Sequence, residues 1–157
     1  MMISYRPLAP DDWEFCVRVH HLAMRAYVEA LWGWNEALQD RLALEFLKHP
    51  NATHEIALKG ETPIGYLSYQ DKAEVLVLNK LHLHPDHHGQ GHGTEIMLRL
   101  IEAAHSRRKP VELSVLATNP RARTFYERLG FISVGATAEK TLMRRSAGPA
   151  GATSGRR

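Results

Sequence analysis

The sequence predicts one α+β domain over residues 1–145, built from about four helices and about six or seven strands. In the first third of the chain, apolar residues recur every three or four positions, which is the period of an amphipathic helix. Beyond residue 50 the pattern changes to an alternation of apolar and polar residues, which is the period of a strand. The chain of 157 residues is long enough to bury one hydrophobic core.

A short strand and two helices are predicted before residue 50. Residues 2–8 form the strand, and Pro10 with two following aspartates is a typical helix start, because proline fixes φ and acids suit the positive end of the helix dipole. The apolar stripe over residues 13–31 predicts the first helix, which Gly33 interrupts. Apolar residues spaced by four over residues 34–46 predict the second helix.

Strands dominate the predicted second half of the chain. A turn at residues 60–63 joins two short β-rich segments and predicts a hairpin over residues 56–69. A longer strand is expected at residues 75–83, with one face formed by Val75, Val77, Leu81 and Leu83. The remaining elements are predicted as a helix, a strand, a helix and two closing strands, over residues 96–104, 111–115, 119–129, 131–134 and 141–143.

Composition excludes several classes of protein. The longest run of apolar side chains is four residues, whereas a membrane-spanning helix needs about 20. The first residues lack an apolar stretch of signal-peptide length, and the single Cys16 cannot form an internal disulfide, so we expect a cytoplasmic protein that binds no membrane. The net charge of +3 comes without a basic stripe, so we expect no nucleic-acid partner. Residues 146–157 carry no large apolar side chain and are predicted to be a disordered tail.

The loop after the long strand is rich in glycine and is predicted to bind an anion. Gly89, Gly91 and Gly93 lie between a strand and a helix, where backbone N–H groups and the helix dipole favour a phosphate. Thr94 follows the last glycine without a lysine, which argues against a nucleotide P-loop. The spacing of the glycines does not fit the dinucleotide fingerprint either.

The pattern His88-x-x-Gly91-x-Gly93, preceded by a strand that ends in Pro85, resembles motif A of the GNAT acetyltransferase superfamily, whose pattern is Gln/Arg-x-x-Gly-x-Gly/Ala. A second segment resembles that family's Asn-x-x-Ala-x-x-hydrophobic-Tyr-x-x-x-Gly-Phe pattern, through Asn119, Ala122, Phe125, Tyr126, Gly130 and Phe131. The resemblance covers about residues 2–145. It implies a mixed, mostly antiparallel sheet that is splayed at the cofactor site.

The resemblance also implies an N-acetyltransferase that uses acetyl-CoA as donor and a small-molecule or peptide amine as acceptor. Backbone groups of Leu81 and Leu83 would bind the pantetheine arm, Asn119 would contact that arm, and Tyr126 would protonate the departing sulfur. The pyrophosphate would be held by the loop residues His88, Gly89, Gln90, Gly91, His92, Gly93 and Thr94. The departure from the family is His88, whose neutral imidazole supplies less positive charge than arginine.

The general base and the acceptor site are less well determined by the sequence. The long strand contains no carboxylate, so the base is left open between Glu36, Glu74, a histidine such as His82, and a water held by Asn79. The family usually builds its acceptor site from the first two helices and the closing strands. At that helical junction, a cage for a cationic amine is predicted from Trp32, Trp34 and Glu36.

Two other functions and one further partner stay open at this point. Five histidines between His82 and His92 raise the alternative of a metal site, but they fall in the loop already explained by anion binding, so no metal is expected. A catalytically inactive acyl-CoA sensor would carry the same loop, and Tyr126 argues against it. A homodimer is the remaining open alternative among the partners.

Overall fold

The computed structural model describes residues 2–147 and forms one seven-stranded sheet with α-helices on both faces. The strands run in the spatial order β1-β2-β3-β4-β5-β7-β6, and all neighbours are antiparallel except β4 and β5. The elements are β1 (Ile3–Pro7), α1 (Trp13–Trp32), α2 (Glu36–Leu47), β2 (Thr53–Lys59), β3 (Thr62–Asp71), β4 (Leu76–Leu83), α3 (His92–Ser106), β5 (Val111–Leu116), α4 (Pro120–Arg128), β6 (Ile132–Ala136) and β7 (Lys140–Arg145).

The α+β fold, the seven strands and the mostly antiparallel sheet confirm the predicted fold class. Most of the predicted tail lies outside the described residues. Of its described part, the carbonyl of Ala147 accepts a hydrogen bond from His105 Nδ1 at 2.8 Å. None of the helices within residues 2–147 is long and apolar enough to cross a membrane.

Two hydrophobic clusters hold the helices on opposite faces of the sheet. One face packs against α3 and α4 through residues such as Ile96, Leu100 and Tyr126. On the other face Val19 of α1 and Leu47 of α2 pack over the sheet, in a cluster that also includes Cys16, Ile56 and Tyr66. The sheet is therefore covered by helices on both sides.

The only parallel pair of strands, within residues 2–147, separates soon after it begins. β4 pairs with β5 at Leu76–Val111 and at Val77–Glu112, and no further pair follows. β4 continues to Leu83 on β3, and β5 continues to Leu116 on β7. The two strands therefore splay, as the resemblance implied, and leave backbone groups without a strand partner on the edges that face the gap.

A β-bulge in β4 changes which residues share a face. Ser68 of β3 lies opposite Lys80, but the next residue, Tyr69, lies opposite Leu78, so Asn79 is the extra residue. The predicted face with Val75 and Val77 was wrong. Leu76 and Leu78 instead join Leu81 and Leu83 in the cluster under α3. The extra residue reverses the alternation halfway along the strand, so Val77, Lys80 and His82 line the gap between β4 and β5.

A substitution at Gly65 of β3 tests how closely β3 approaches the backbone of β4. A Cβ atom at Gly65 would lie 2.3 Å from the carbonyl oxygen of His82 and 2.9 Å from Leu83 Cα. Because backbone atoms cannot move aside easily, we expect Gly65→Ala to lower the free energy of unfolding by about 1–3 kcal/mol, measured by urea denaturation. Gly135→Ala is the matched control, since its Cβ would meet nothing nearer than Leu142 Cβ at 4.0 Å. Equal stability of the two variants would contradict the predicted contact.

Candidate active site

The gap between β4 and β5 is a cleft with two adjoining cavities of about 710 and about 690 Å³. The first lies between the two strands and under α1 and α2, and the second lies under the glycine-rich loop and α4. The two cavities share the lining residues Met24, Leu81, His82, Asn119, Ala122 and Tyr126. The loop and the interior of the sheet therefore open into one continuous cleft.

The three glycines of the loop meet two different structural requirements, a positive φ and a close packing contact. Gly89 and Gly91 adopt φ of +73° and +83°, which L side chains rarely adopt. Gly91 directly precedes α3, so the unpaired first-turn N–H groups of that helix lie beside the cavity that Gly91, Gly93 and Thr94 help to line. Gly93 has an ordinary helical φ, and a Cβ there would come within 3.3 Å of the ring of Phe125. Its role includes the close packing of α3 on α4.

The polar side chains of the loop bond within the loop and to β4. His88 is exposed, and its Nε2 donates to the carbonyl of Leu83 at 2.8 Å. Gln90 donates to the carbonyl of Asp86 at 3.1 Å and bonds to His92 Nε2 at 3.1 Å. Among the predicted loop residues, Gln90 alone does not line the cavity. These contacts fix the loop on the end of β4.

Three other predicted cofactor residues lie around the same cleft. Leu81 and Leu83 are partly buried at the splayed end of β4, and both line the cavity under the loop. Asn119 caps α4, because its Oδ1 accepts from the Ala122 amide at 3.1 Å. Asn119 also lines both cavities, so the residue that caps α4 is part of the wall of the cleft.

Tyr126 lies where the two cavities meet, on the buried face of α4. Its side chain is 8% exposed and packs edge-on against Phe125 and Phe131, with ring centroids 4.9 and 5.6 Å apart. Burial raises the pKa of Tyr126 above its usual value. The phenol therefore stays protonated at neutral pH and keeps a proton to donate into the cleft.

His82 faces Tyr126 across the same cleft from β4. It is buried, it lines both cavities, and its Nε2 has no hydrogen-bond partner in the described part of the chain. Burial holds the pKa of His82 well below its ordinary range, and the nearby charges of Lys80 and His20 act in the same direction. The imidazole is therefore neutral at physiological pH and can accept a proton. Of the carboxylates left open as bases, neither Glu36 nor Glu74 lines the cleft.

The structure does not bring the three predicted cage residues together. Trp32 lines the larger cavity, and its indole N–H donates to Glu139 at 3.1 Å. Trp34 donates to Glu36 at 3.1 Å, and its ring lies beside His21 and 5.4 Å from the Arg25 guanidinium. The reason is Gly33, which ends α1 with φ of +76° and separates the two tryptophans. Neither Trp34 nor Glu36 lines the cleft.

Lys80 and His20 also line the larger cavity, and the sequence alone did not single them out. His20 is buried on α1 with its ring centroid 5.7 Å from that of His82, and its Nε2 bonds to Gln39 at 3.1 Å. Lys80 precedes His82 by two residues, which places both on one strand face, so the alternation could have indicated it. Nothing in the sequence marks His20 among the other histidines.

The loop histidines do not form a metal site. The ring centroid of His87 lies 6.3 Å from that of His84 and 6.3 Å from that of His92. Within residues 2–147 no group of three or more histidine, cysteine, aspartate or glutamate side chains is arranged to hold a metal ion.

Comparison with known proteins gives matches in both sequence and fold. The profile described as "Acetyltransferase (GNAT) family" matches residues 16–131. An uncharacterized N-acetyltransferase of Methanocaldococcus jannaschii is 40% identical over 68 residues, which span 43% of this chain but only 30% of that relative. An acetyltransferase from Thermus thermophilus superposes with a TM-score of 0.74 at 23% identity, over 93% of this chain and 97% of that one. A paia N-acetyltransferase from Thermoplasma acidophilum, solved in complex with coenzyme A, superposes with a TM-score of 0.75 at 18% identity, over 93% of this chain and 99% of that one.

The left-handed φ of Gly91 predicts that a β-branched residue there disturbs the loop. We expect Gly91→Val to weaken the binding of coenzyme A at least about tenfold, measured by calorimetry, because valine strains the backbone beside α3. Gly60→Val is the matched control, since Gly60 has φ of +65° in the turn between β2 and β3, away from the cleft. Both variants are expected to lose some stability, but only Gly91→Val to lose affinity. Unchanged affinity in Gly91→Val would show that the loop does not bind the phosphates.

Proposed function

The chain belongs to the acetyltransferase (GNAT) family, and we propose that it moves an acetyl group from acetyl-CoA to a primary amine by direct transfer. The observation that supports this best is the continuous cleft, in which the glycine-rich loop, a neutral imidazole and a protonated phenol lie together. The base is His82 and the acid is Tyr126. The finding that a relative of the same fold was solved with coenzyme A supports the choice of donor.

The proposed position of the donor follows from the open groups of the cleft. The N–H groups around Gly91 and at the start of α3 would bind the pyrophosphate. The pantetheine arm would lie along the splayed end of β4, next to the backbone of Leu81 and Leu83 on the edge without a strand partner, and would pass Asn119. This route leads the thioester to the junction of the two cavities, beside Tyr126.

The proposed reaction needs one proton acceptor and one proton donor. The neutral amine nitrogen attacks the thioester carbonyl, a C–N bond forms, and His82 takes the proton that the nitrogen loses. The tetrahedral intermediate then collapses, the C–S bond breaks, and Tyr126 donates a proton to the departing thiolate. Proton release from His82 to solvent and proton uptake by Tyr126 return both side chains to their starting states.

The direct test is the release of coenzyme A from acetyl-CoA in the presence of a panel of primary amines. Acetylated amine and free coenzyme A are expected in equal amounts, because one acetyl group is moved for each thioester consumed. Tight binding of acetyl-CoA without release of coenzyme A for any amine would instead identify an acyl-CoA sensor.

Removal of the Tyr126 hydroxyl tests the acid. Tyr126→Phe keeps the ring that packs between Phe125 and Phe131, so we expect kcat to fall about 10- to 1,000-fold while the affinity for coenzyme A stays the same. Tyr69→Phe is the control, since Tyr69 packs on the core under α3 and does not line the cleft. Turnover of Tyr126→Phe within about twofold of the parent would exclude the acid role.

The lowered pKa of His82 predicts the acid limb of the pH–rate profile. Because the neutral imidazole is the active form, kcat should fall as the pH drops through the pKa of His82, at a midpoint below the ordinary value of about 6.5. His82→Gln should lose this limb and reduce kcat by about 10²- to 10⁴-fold. His105→Gln, which changes a histidine at the far end of α3, should keep the parent profile. An unchanged limb in His82→Gln would assign the base to another group.

A further inference from the structure

Lys80 lies on the side of the cleft under α1 and α2, which we call the acceptor side. It is partly buried on β4 between the bulge at Asn79 and the base candidate His82, and its side chain lines the larger cavity. Its ammonium lies 5.4 Å from the centre of the Phe46 ring, under α2. Lys80 therefore belongs to the face of β4 under α2, whereas the leucines of β4 pack under α3.

Lys80 has no ion-pair partner within residues 2–147. Within the described residues no carboxylate oxygen comes within 4.0 Å of its ammonium. The other cation beside it is Lys140 at the start of β7, which lines the same cavity. Burial lowers the pKa of Lys80, and the charge of Lys140 lowers it further. A cation in such a place is costly unless an anion joins it.

The rest of the acceptor side carries little negative charge of its own. The one carboxylate among the residues that line the larger cavity is Glu112, whose oxygen lies 3.6 Å from Arg144 on the neighbouring strand. His20 and His82 are both buried with a lowered pKa, so they are neutral at physiological pH. The cleft is therefore positive where the acceptor must enter, which disfavours an acceptor whose only charges are positive.

We propose that the acceptor is an amine that also carries an anionic group, and that Lys80 binds this group while the amine faces His82. The proposal rests on the proposed function and names the class of its second substrate. A carboxylate, as in an amino acid or at a peptide terminus, and a phosphate would both supply the charge. Lys140 would bind the same anion or a second one across the cleft. The predicted cage for a cationic amine is replaced by this arrangement.

The two lysines would also help the chemistry of the amine. A like charge nearby disfavours the protonated form of an amine and so lowers its pKa. A substrate held by its anion at Lys80 would place its nitrogen near that charge, and more of the bound amine would be neutral. The demand on His82 as a base is correspondingly smaller.

The test compares amines that differ only in the anion. With acetyl-CoA as donor, kcat/KM is measured for L-amino acids and their carboxamides, for O-phosphoethanolamine and ethanolamine, and for spermidine. Each assay uses the parent, Lys80→Met and Lys80→Arg. We expect the parent to prefer one anionic amine over its neutral partner, and Lys80→Met to reduce that kcat/KM about 10- to 100-fold, mostly through KM, with Lys80→Arg partly restoring it. The preferred pair distinguishes a carboxylate from a phosphate.

Lys72→Met is the matched control. Lys72 is exposed in the turn before β4 and does not line the cleft, so this substitution removes the same charge outside the site. Thermal unfolding and coenzyme A binding check that Lys80→Met is folded. Preference for spermidine or for the carboxamides, or equal effects of Lys80→Met on both members of a pair, would overturn the proposal while leaving the acetyltransferase intact.

Measurements of substrate binding distinguish failure of the anion site from failure of the proposed acetyltransferase function. Calorimetry with the coenzyme A complex measures the same amino acids and O-phosphoethanolamine without turnover. Anion binding that Lys80→Met removes, in a protein that acetylates no amine, would support the anion site and overturn the proposed function. Absence of both anion binding and any anion preference in turnover would overturn the anion site.

Discussion

The parting of β4 from β5 is the constraint on which the rest of the structure depends. A parallel pair needs slanted hydrogen bonds along its length, and here pairing stops after Val77 and Glu112. Each strand keeps a second, antiparallel neighbour, so the sheet stays intact around the gap. The glycine-rich loop, the start of α3 and the Asn119 cap all lie at the wide end of this gap. One interruption of pairing thus creates the cleft and gathers the groups that line it.

Burial gives the side chains of the cleft a common electrostatic character. Burial is the largest cause of the pKa shifts of Tyr126, His82 and Lys80, and in each case it favours the uncharged form. The cleft therefore holds both a protonated phenol and an unprotonated imidazole, which the proposed reaction would use as its acid and its base. Lys80 differs from the other two, because its charged neighbour is a second cation, Lys140, and under the proposal a substrate anion would balance it.

Much of the fold follows from local signals in the sequence. The order of the elements, the helix start at Pro10 and the interruption at Gly33 all depend on residue periods and on backbone preferences of proline and glycine. The position of the glycine-rich loop follows in the same way, because Gly89 and Gly91 adopt the positive φ that glycine allows. The Asn119 cap is also local, since it bonds three residues ahead.

Other features depend on pairing between distant segments, which one sequence does not show. The face that β4 presents is set by its register against β3, and the extra residue Asn79 reversed the predicted alternation. The place of Trp34 beside Arg25 depends on the direction that the chain takes after Gly33. The same is true of Gly93, whose small size suits the approach of Phe125 from α4, a helix that begins only at Pro120.

The bulge at Asn79 also separates what β4 does for folding from what it does for recognition. Leu76, Leu78, Leu81 and Leu83 all join the cluster under α3, and the last three also touch the cleft. Val77, Lys80 and His82 line the cleft without joining that cluster. Val77 and Lys80 are only partly buried, so substitutions there change the wall of the cleft and leave the cluster under α3 intact. One strand therefore serves both the hydrophobic core and the wall of the cleft, and the extra residue at the bulge lets it do so.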